Sequence, residues 1–164
     1  MSAKDLKFQD KDLIKNFFKD AVLWALQTDL KSFEFCHLLN LRLRLDLKRN
    51  VDADLAIENK IVVPKQPDLF TEINLKEAPA YYYFPVYESK YELDDTAIFL
   101  YTNKHNGQIA IPKQKKWNYF FLIKNGDYHD QLYGFEKYIA RFQEVKAYSI
   151  LDVTQGTWAK ELVL

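Results

Sequence analysis

Cysteine is nearly absent from this chain, with Cys36 standing alone. One thiol cannot form an internal disulfide, and Cys36-His37 lacks the second ligand pair of a structural zinc site. Glycine is scarce as well: Gly107, Gly126, Gly134 and Gly156 are scattered along the sequence. No glycine cluster exists to let backbone N–H groups close on a phosphate, which excludes a P-loop or dinucleotide-binding motif. Arginine is limited to Arg42, Arg44, Arg49 and Arg141. Planar guanidinium forks are the usual readers of phosphates and base edges, so this scarcity disfavours nucleic acid as a partner. No apolar run approaches the ~20 residues that span a bilayer. The opening MSAKDLKFQDKD lacks the apolar stretch of a secretory signal, so we expect a cytoplasmic protein with no membrane partner. Net charge offers no lead, because 23 basic residues balance 23 acidic ones.

What is present suits one globular domain. A chain of 164 residues with 48% hydrophobic content can bury roughly 70% of its unfolded surface. Aromatic residues reach 16%, enough to furnish a binding surface as well as a core. Codon bias accounts for the surplus more simply, since Lys, Asn, Ile, Tyr and Phe have AT-rich codons and all are abundant here.

Ile14, Phe17, Phe18 and Ala21 recur at helical spacing behind Asp10 or Asp12. AVLWALQT either extends that helix or forms a buried strand ending at Thr28. Thr28 or Asp29 can cap a second helix whose core stripe is Phe35, Cys36, Leu39 and Leu43. Leu41, Leu43, Leu45 and Leu47 then alternate with polar residues, the period of a half-buried strand. Residues 61–80 carry three prolines and read as an irregular insertion or lid.

The second half is rich in strands. YYYFPVYESKY is interrupted by Pro85, which lacks a ladder donor and implies an edge or a bulge. Glu92 to Asp95 reads as a turn and TAIFLYT as a buried strand. Asn106-Gly107 signals a hairpin because both residues tolerate positive φ, and GQIAIP is its return strand. WNYFFLIK is apolar on both faces, as a central strand would be, with Trp117 expected on the face of Tyr119, Phe121 and Ile123. Asn125 to Asp127 turns into a helix with a Leu132, Phe135, Ile139 and Phe142 stripe, in which Gly134 costs about 1 kcal/mol against alanine. VKAYSILDV is a strand and WAKELVL a short closing element. The expected fold is α+β: one domain over residues 1–164, with a mainly antiparallel sheet and helices packed on one face. It takes on the split βαβ, ferredoxin-like character if residues 22–27 form a strand.

Candidate chemistry is sparse. Cys36 with His105 or His129 would make a nucleophile and base, but Cys36 falls on the core stripe, where burial makes a thiol inert. Asp52/Asp54 and Asp94/Asp95 lie in polar, turn-like segments and read as solvated carboxylates. Asp127 to Asp130 reads as a helix start complementing the macrodipole. We expect no catalytic residues, no metal and no cofactor. One asymmetry stands out: Lys104, Lys113, Lys115, Lys116 and Lys124 occur between residues 103 and 126 with no acid among them. Lysines beside Trp117 could bind a single strand by charge and stacking. The plainer reading is a solvated loop beside a strand whose aromatics face the core.

The segment IAIPKQKKWNYFFLIKNGD resembles the signature of the IPExxxVDY family, small bacterial proteins found mainly in Bacteroidetes. Ile111-Pro112 and Tyr119 match that signature, and Phe120 to Ile123 fill its apolar positions. LWALQTDLKSFEFCHLLN is similar to the family's strand, turn and helix, with Leu30, Phe33, Phe35, Cys36, Leu39 and Asn40 at the expected places. The resemblance implies an α+β fold with residues 23–26 as a strand; it implies no activity. Lys113, Trp117 and Asn118 stand where the family has Glu, Val and Asp, so a function particular to this chain is expected to show there.

The leading expectation is a non-enzymatic protein–protein interaction module, self-associating or binding an unidentified protein, with Tyr81 to Tyr87 as an edge for sheet extension. The alternative is a single-stranded nucleic-acid or anionic-ligand binder using Lys113, Lys115, Lys116, Trp117 and Asn118. A further alternative is a small-molecule binder or enzyme with a pocket under residues 61–80.

Overall fold

The computed structural model describes residues 12–59, 80–90, 96–124, 135–153 and 157–163. Strands β1 (Ala21–Thr28), β2 (Lys48–Arg49), β5 (Val86–Lys90), β6 (Ala97–Thr102), β9 (Tyr119–Lys124) and β10 (Val145–Leu151) form one sheet in the order β10-β1-β9-β6-β5-β2. Every neighbouring pair is antiparallel. A two-stranded ribbon, β3 (Leu55–Asn59) with β4 (Ala80–Phe84), and a short hairpin, β7 (Lys104–His105) with β8 (Gln108–Ile109), complete the strands. Helix α1 spans Ser32–Leu43 and α2 spans Phe135–Ile139.

The fold is α+β, and its strand order carries the split βαβ pattern. In chain order the core strands are β1, β6, β9 and β10; in space they stand fourth, first, third, second. β1 and β6 therefore run parallel with β9 between them, and β9 and β10 run parallel with β1 between them. β5 and β2 extend this ferredoxin-like core beyond β6. Residues 21–28 are a strand rather than a helix continuation, which gives β9 a hydrogen-bonded partner along each edge, while the cover on both faces of the sheet accounts for its two apolar faces.

Both faces of the sheet are buried. Register places Trp24 opposite Phe121 and Leu26 opposite Tyr119; these side chains, with Ile98, Leu100 and Ile123, meet Phe35, Cys36 and Leu39 of α1 and Phe135, Ile139 and Phe142 of the α2 region. Phe121 stacks on Phe135 at 4.8 Å with rings 3° apart. The opposite face, with Leu23, Ala25, Phe99, Tyr101, Phe120 and Leu122, is covered by pieces without long periodicity. These are Phe18, the ribbon residues Leu55 and Phe84, the loop residues Ala110, Ile111 and Trp117, and Ala159 and Leu162 of a 3₁₀ turn over Thr157–Leu162. Residues 12–17 are helical, and Ile14 and Phe17 pack on this second face, whereas α1 and α2 share the first.

Several local expectations are corrected. α1 begins at Ser32 with Lys31 as N-cap. Thr28 instead accepts from the Leu30 N–H at 3.2 Å, and the Glu34 carboxylate accepts from the Lys31 N–H at 2.8 Å. The leucine alternation does not make a long strand, because α1 runs to Leu43 and ends on Arg44 at φ 55°. Leu45 and Leu47 are buried, but the Asn40 amide takes the place of a strand partner for Leu47. It accepts from the Leu47 N–H at 2.9 Å and donates to the Leu47 carbonyl at 2.9 Å. Pro85 bulges no strand: it divides β4, an edge strand that pairs with β3 alone among the described residues, from β5, which pairs with β2 and β6.

Asn106 and Gly107 make the turn with φ of 47° and 77°, but the return strand is only Gln108–Ile109. Trp117 packs on the face opposite Tyr119. The 61–80 insertion, apart from Ala80 in β4, lies outside the described residues. So do the turns at 92–95 and 125–127, Asp94/Asp95, Asp127 to Asp130, His129, Leu132 and Gly134.

Candidate functional site

The lysine-bearing segment is built around one residue that the sequence reading passed over. Asn103 is fully buried, and its amide is saturated: Nδ2 donates to the Gln114 and Trp117 carbonyls at 3.1 and 2.9 Å, and Oδ1 accepts from the Ile111 N–H at 2.8 Å. Its backbone N–H donates to the Asn118 carbonyl and its carbonyl accepts from the Ala110 N–H, both at 2.8 Å. A buried amide bonded in this way fixes the loop around it, because leaving any of these groups unpaired would cost ~1–3 kcal/mol. Only its position, between a buried strand and a hairpin turn, could have marked Asn103 in the sequence.

Within this frame the five predicted residues separate. Lys113, Lys115 and Lys116 are exposed around the 3₁₀ turn Pro112–Gln114. Trp117 is 6% exposed, and its ring carries Lys116 Nζ at 4.5 Å, so no free indole face is offered to a base. Asn118 acts through its backbone, donating to the Leu26 carbonyl at 2.9 Å and accepting from Asn103 and Lys104. The fold adds Lys104, which donates to the Lys116 carbonyl at 3.5 Å. Lys104, Lys115 and Lys116 thereby share one concave surface with Gly107, Gln108 and Ile109.

The other face-forming aromatics are equally closed. Folds of this topology commonly bind through the sheet face opposite their two crossover helices, stacking bases on its aromatics. Here Phe99, Tyr101 and Phe120 on that face are 5, 0 and 0% exposed. Burial pushes the Tyr101 phenol up, with Glu88 adding to the shift, and its hydroxyl donates to the Leu162 carbonyl at 3.0 Å.

A second concavity, an open cleft of about 590 Å³, is lined by Asn50, Asp54, Glu88, Lys90, Ala97 and Lys124 among others. Of its three carboxylates, Asp52 is exposed, and Asp54 and Glu88 are occupied. Asp54, expected to be solvated, has a side chain only 2% exposed that accepts from Arg49 at 2.6 Å and from the Val86 N–H at 3.0 Å. Glu88 accepts from Asn50 at 2.9 Å and pairs with Lys90 at 3.0 Å. Desolvation lowers the Lys124 ammonium's pKa, and it sits over the Phe17 ring at 4.0 Å.

Burial pushes the Cys36 thiol up to about 11, so at neutral pH it is a protonated core group near the Leu47 carbonyl. Its neighbour His37 is exposed. Among the described residues no group of three or more His, Cys, Asp or Glu is placed to hold a metal ion, and no helix is long and apolar enough to cross a membrane. Compared with protein-family models, with curated proteins and with solved structures, the chain finds no match.

Proposed function

We propose that this protein is a non-enzymatic cytoplasmic interaction module that self-associates through the β3–β4 ribbon. The observation that carries the reading is the outward face of that ribbon. Leu55 and Phe84 are buried and Ile57 and Tyr82 pack inward. On the other face Tyr81 and Tyr83 are 52% and 59% exposed, opposite Glu58 and Ala56. Rigid amphipathic tyrosines bury large area at small entropic cost, which is why they concentrate in interfaces. Each ribbon strand has a single partner among the described residues, which leaves an edge for a strand of a second copy.

Membership of the IPExxxVDY family is part of the same proposal. Ile111 and Tyr119, which carry the resemblance, are buried, and the Tyr119 hydroxyl donates to the Leu30 carbonyl at 2.7 Å. Asn40 holds Leu47. Structural duties at these positions support a shared fold rather than a shared reaction.

The test is light scattering over a range of concentrations, with wild type and a Tyr81→Ser/Tyr83→Ser variant. The expected result is a mass of twice 19.5 kDa for wild type and a monomer for the variant. A strict monomer at high concentration sinks self-association; equal dimerisation of the variant sinks the ribbon as its surface.

A further inference from the structure

The two edges of the β3–β4 ribbon differ in what they offer a second strand. Successive residues of a strand direct their N–H and C=O groups to opposite edges. The Pro85 carbonyl accepts from the Thr102 N–H, on the β6 side, at 3.0 Å. The next carbonyl, of Val86, accepts from the Asn50 N–H on the β2 side at 3.0 Å. The Val86 N–H donates at 3.0 Å to Asp54, which directly precedes β3. Carried back along β4, this alternation turns Ala80, Tyr82 and Phe84 toward their β3 partners Asn59, Ile57 and Leu55. Tyr81 and Tyr83 are turned to the free edge, where no strand among the described residues pairs with them. β6 reaches no further along that edge, because Asn103 sends its N–H to the Asn118 carbonyl instead.

Given self-association through the ribbon, on which this step rests, we infer that two copies join β4 to β4, antiparallel, about a two-fold axis at Tyr82. Tyr81 of each copy then faces the partner's Tyr83, and both are directed at the seam, so each such pair exchanges two backbone hydrogen bonds. Prolines on both sides of the strand fix the register. A two-fold on any other residue of β4 sets Tyr81 or Tyr83 against Pro79 or Pro85, which have no N–H to donate. A two-fold between residues opposes a seam-directed residue to one bonded to β3, and no pair forms. The same register brings the exposed tyrosine rings of both copies together on one face, where cross-strand aromatic pairs stabilise a sheet. The β3 edge would present exposed Ala56 and Glu58, and a carboxylate at an edge guards against pairing. So short a seam suits a reversible dimer.

The experiment follows amide hydrogen exchange in the full wild-type chain by ¹H–¹⁵N spectra, below and above the concentration at which light scattering shows a dimer. The Tyr81 and Tyr83 amides should exchange about tenfold more slowly at about ten times the dimer's dissociation constant. Ala56 and Glu58, on the other edge, should keep their rates. Tyr82→Cys should cross-link two copies on mild oxidation, because a non-hydrogen-bonded pair sits at a Cα separation of about 4.5 Å, within disulfide reach. Ile57→Cys, at the centre of β3, should not. Wild type is the control, since its one thiol, Cys36, is buried. Should Tyr82→Cys fail to fold, the wild-type exchange decides alone. A dimer that slows Ala56 and Glu58 instead, or that cross-links through Ile57→Cys and not Tyr82→Cys, overturns β4 pairing and leaves self-association through the ribbon standing. A strict monomer, or a dimer that slows no ribbon amide, overturns both.

Discussion

The two faces of the central sheet are buried to the same degree by different means. On one, α1 and the α2 region lay periodic stripes of Phe35, Leu39, Phe135 and Ile139 across the strands. On the other, residues 14–18, a ribbon, a loop and a 3₁₀ turn each contribute a few side chains. The first cover is held by burial along helices. The second depends on point attachments: Asn103 for the loop, Tyr101 to Leu162 for the C-terminal turn, and Asp54 to Val86 at the start of the ribbon. Apolar area supplies the stabilisation on both faces, but on the second face individual polar side chains decide which residues supply it.

The largest expected effect tests whether the faces are equal as core. Phe120 and Phe121 are adjacent, fully buried and on opposite faces. Phe121→Ala removes the stack on Phe135, and Phe120→Ala the contact with Trp158 at 5.9 Å. Each should lower unfolding free energy by about 3–5 kcal/mol in denaturant titration. A cost below about 1 kcal/mol for Phe120→Ala alone would mean that the irregular cover collapses readily onto the gap and is no true core.

Next in size is the contrast between two asparagines. Asn103→Ala orphans the Ile111 N–H and two carbonyls in a buried site, and about 3 kcal/mol should be lost. Asn40→Ala exposes the Leu47 pairing at a half-buried position that water can reach, so about 1–2 kcal/mol is expected. Asn103→Asp sharpens the point: the new carboxylate keeps the bond from Ile111 but faces the Gln114 and Trp117 carbonyls without a proton to donate. It should be at least as damaging as alanine. Thermal unfolding that ranks Asn40→Ala as the more damaging would break the comparison.

These asparagines also explain how far the sequence could be read. β6, β9 and β10, the α1 stripe and the Asn106-Gly107 turn were legible because each rests on local periodicity or local φ preference. The Leu45–Leu47 stretch and the GQIAIP return strand were misread for one shared reason. Alternation predicted which side chains are buried, yet the backbone groups of Leu47, Ala110 and Ile111 are bonded by Asn40 and Asn103 rather than by a ladder. A side chain eight residues away in sequence, as Asn103 is from Ile111, leaves no periodic trace. The lysine segment was visible as a charge bias, but its contact with Lys104 and the burial of Trp117 required the fold.

The smallest effect pits two neighbours on β6 against each other. Tyr101 faces the irregular cover with its hydroxyl bonded to Leu162, whereas the buried Thr102 Oγ1 has no hydrogen-bond partner among the described residues. Register sets Thr102 beside Tyr119 on the helical face. Tyr101→Phe removes a satisfied bond and strands the Leu162 carbonyl, for a loss of about 1 kcal/mol. Thr102→Val removes a desolvated hydroxyl that gains nothing in the folded chain, so unfolding free energy should rise by up to about 1 kcal/mol. Opposite signs in paired denaturant titrations are the expected outcome. A destabilised Thr102→Val would show that its hydroxyl is satisfied in solution, and the contrast between the two faces would then rest on Asn103, Tyr101 and Asp54.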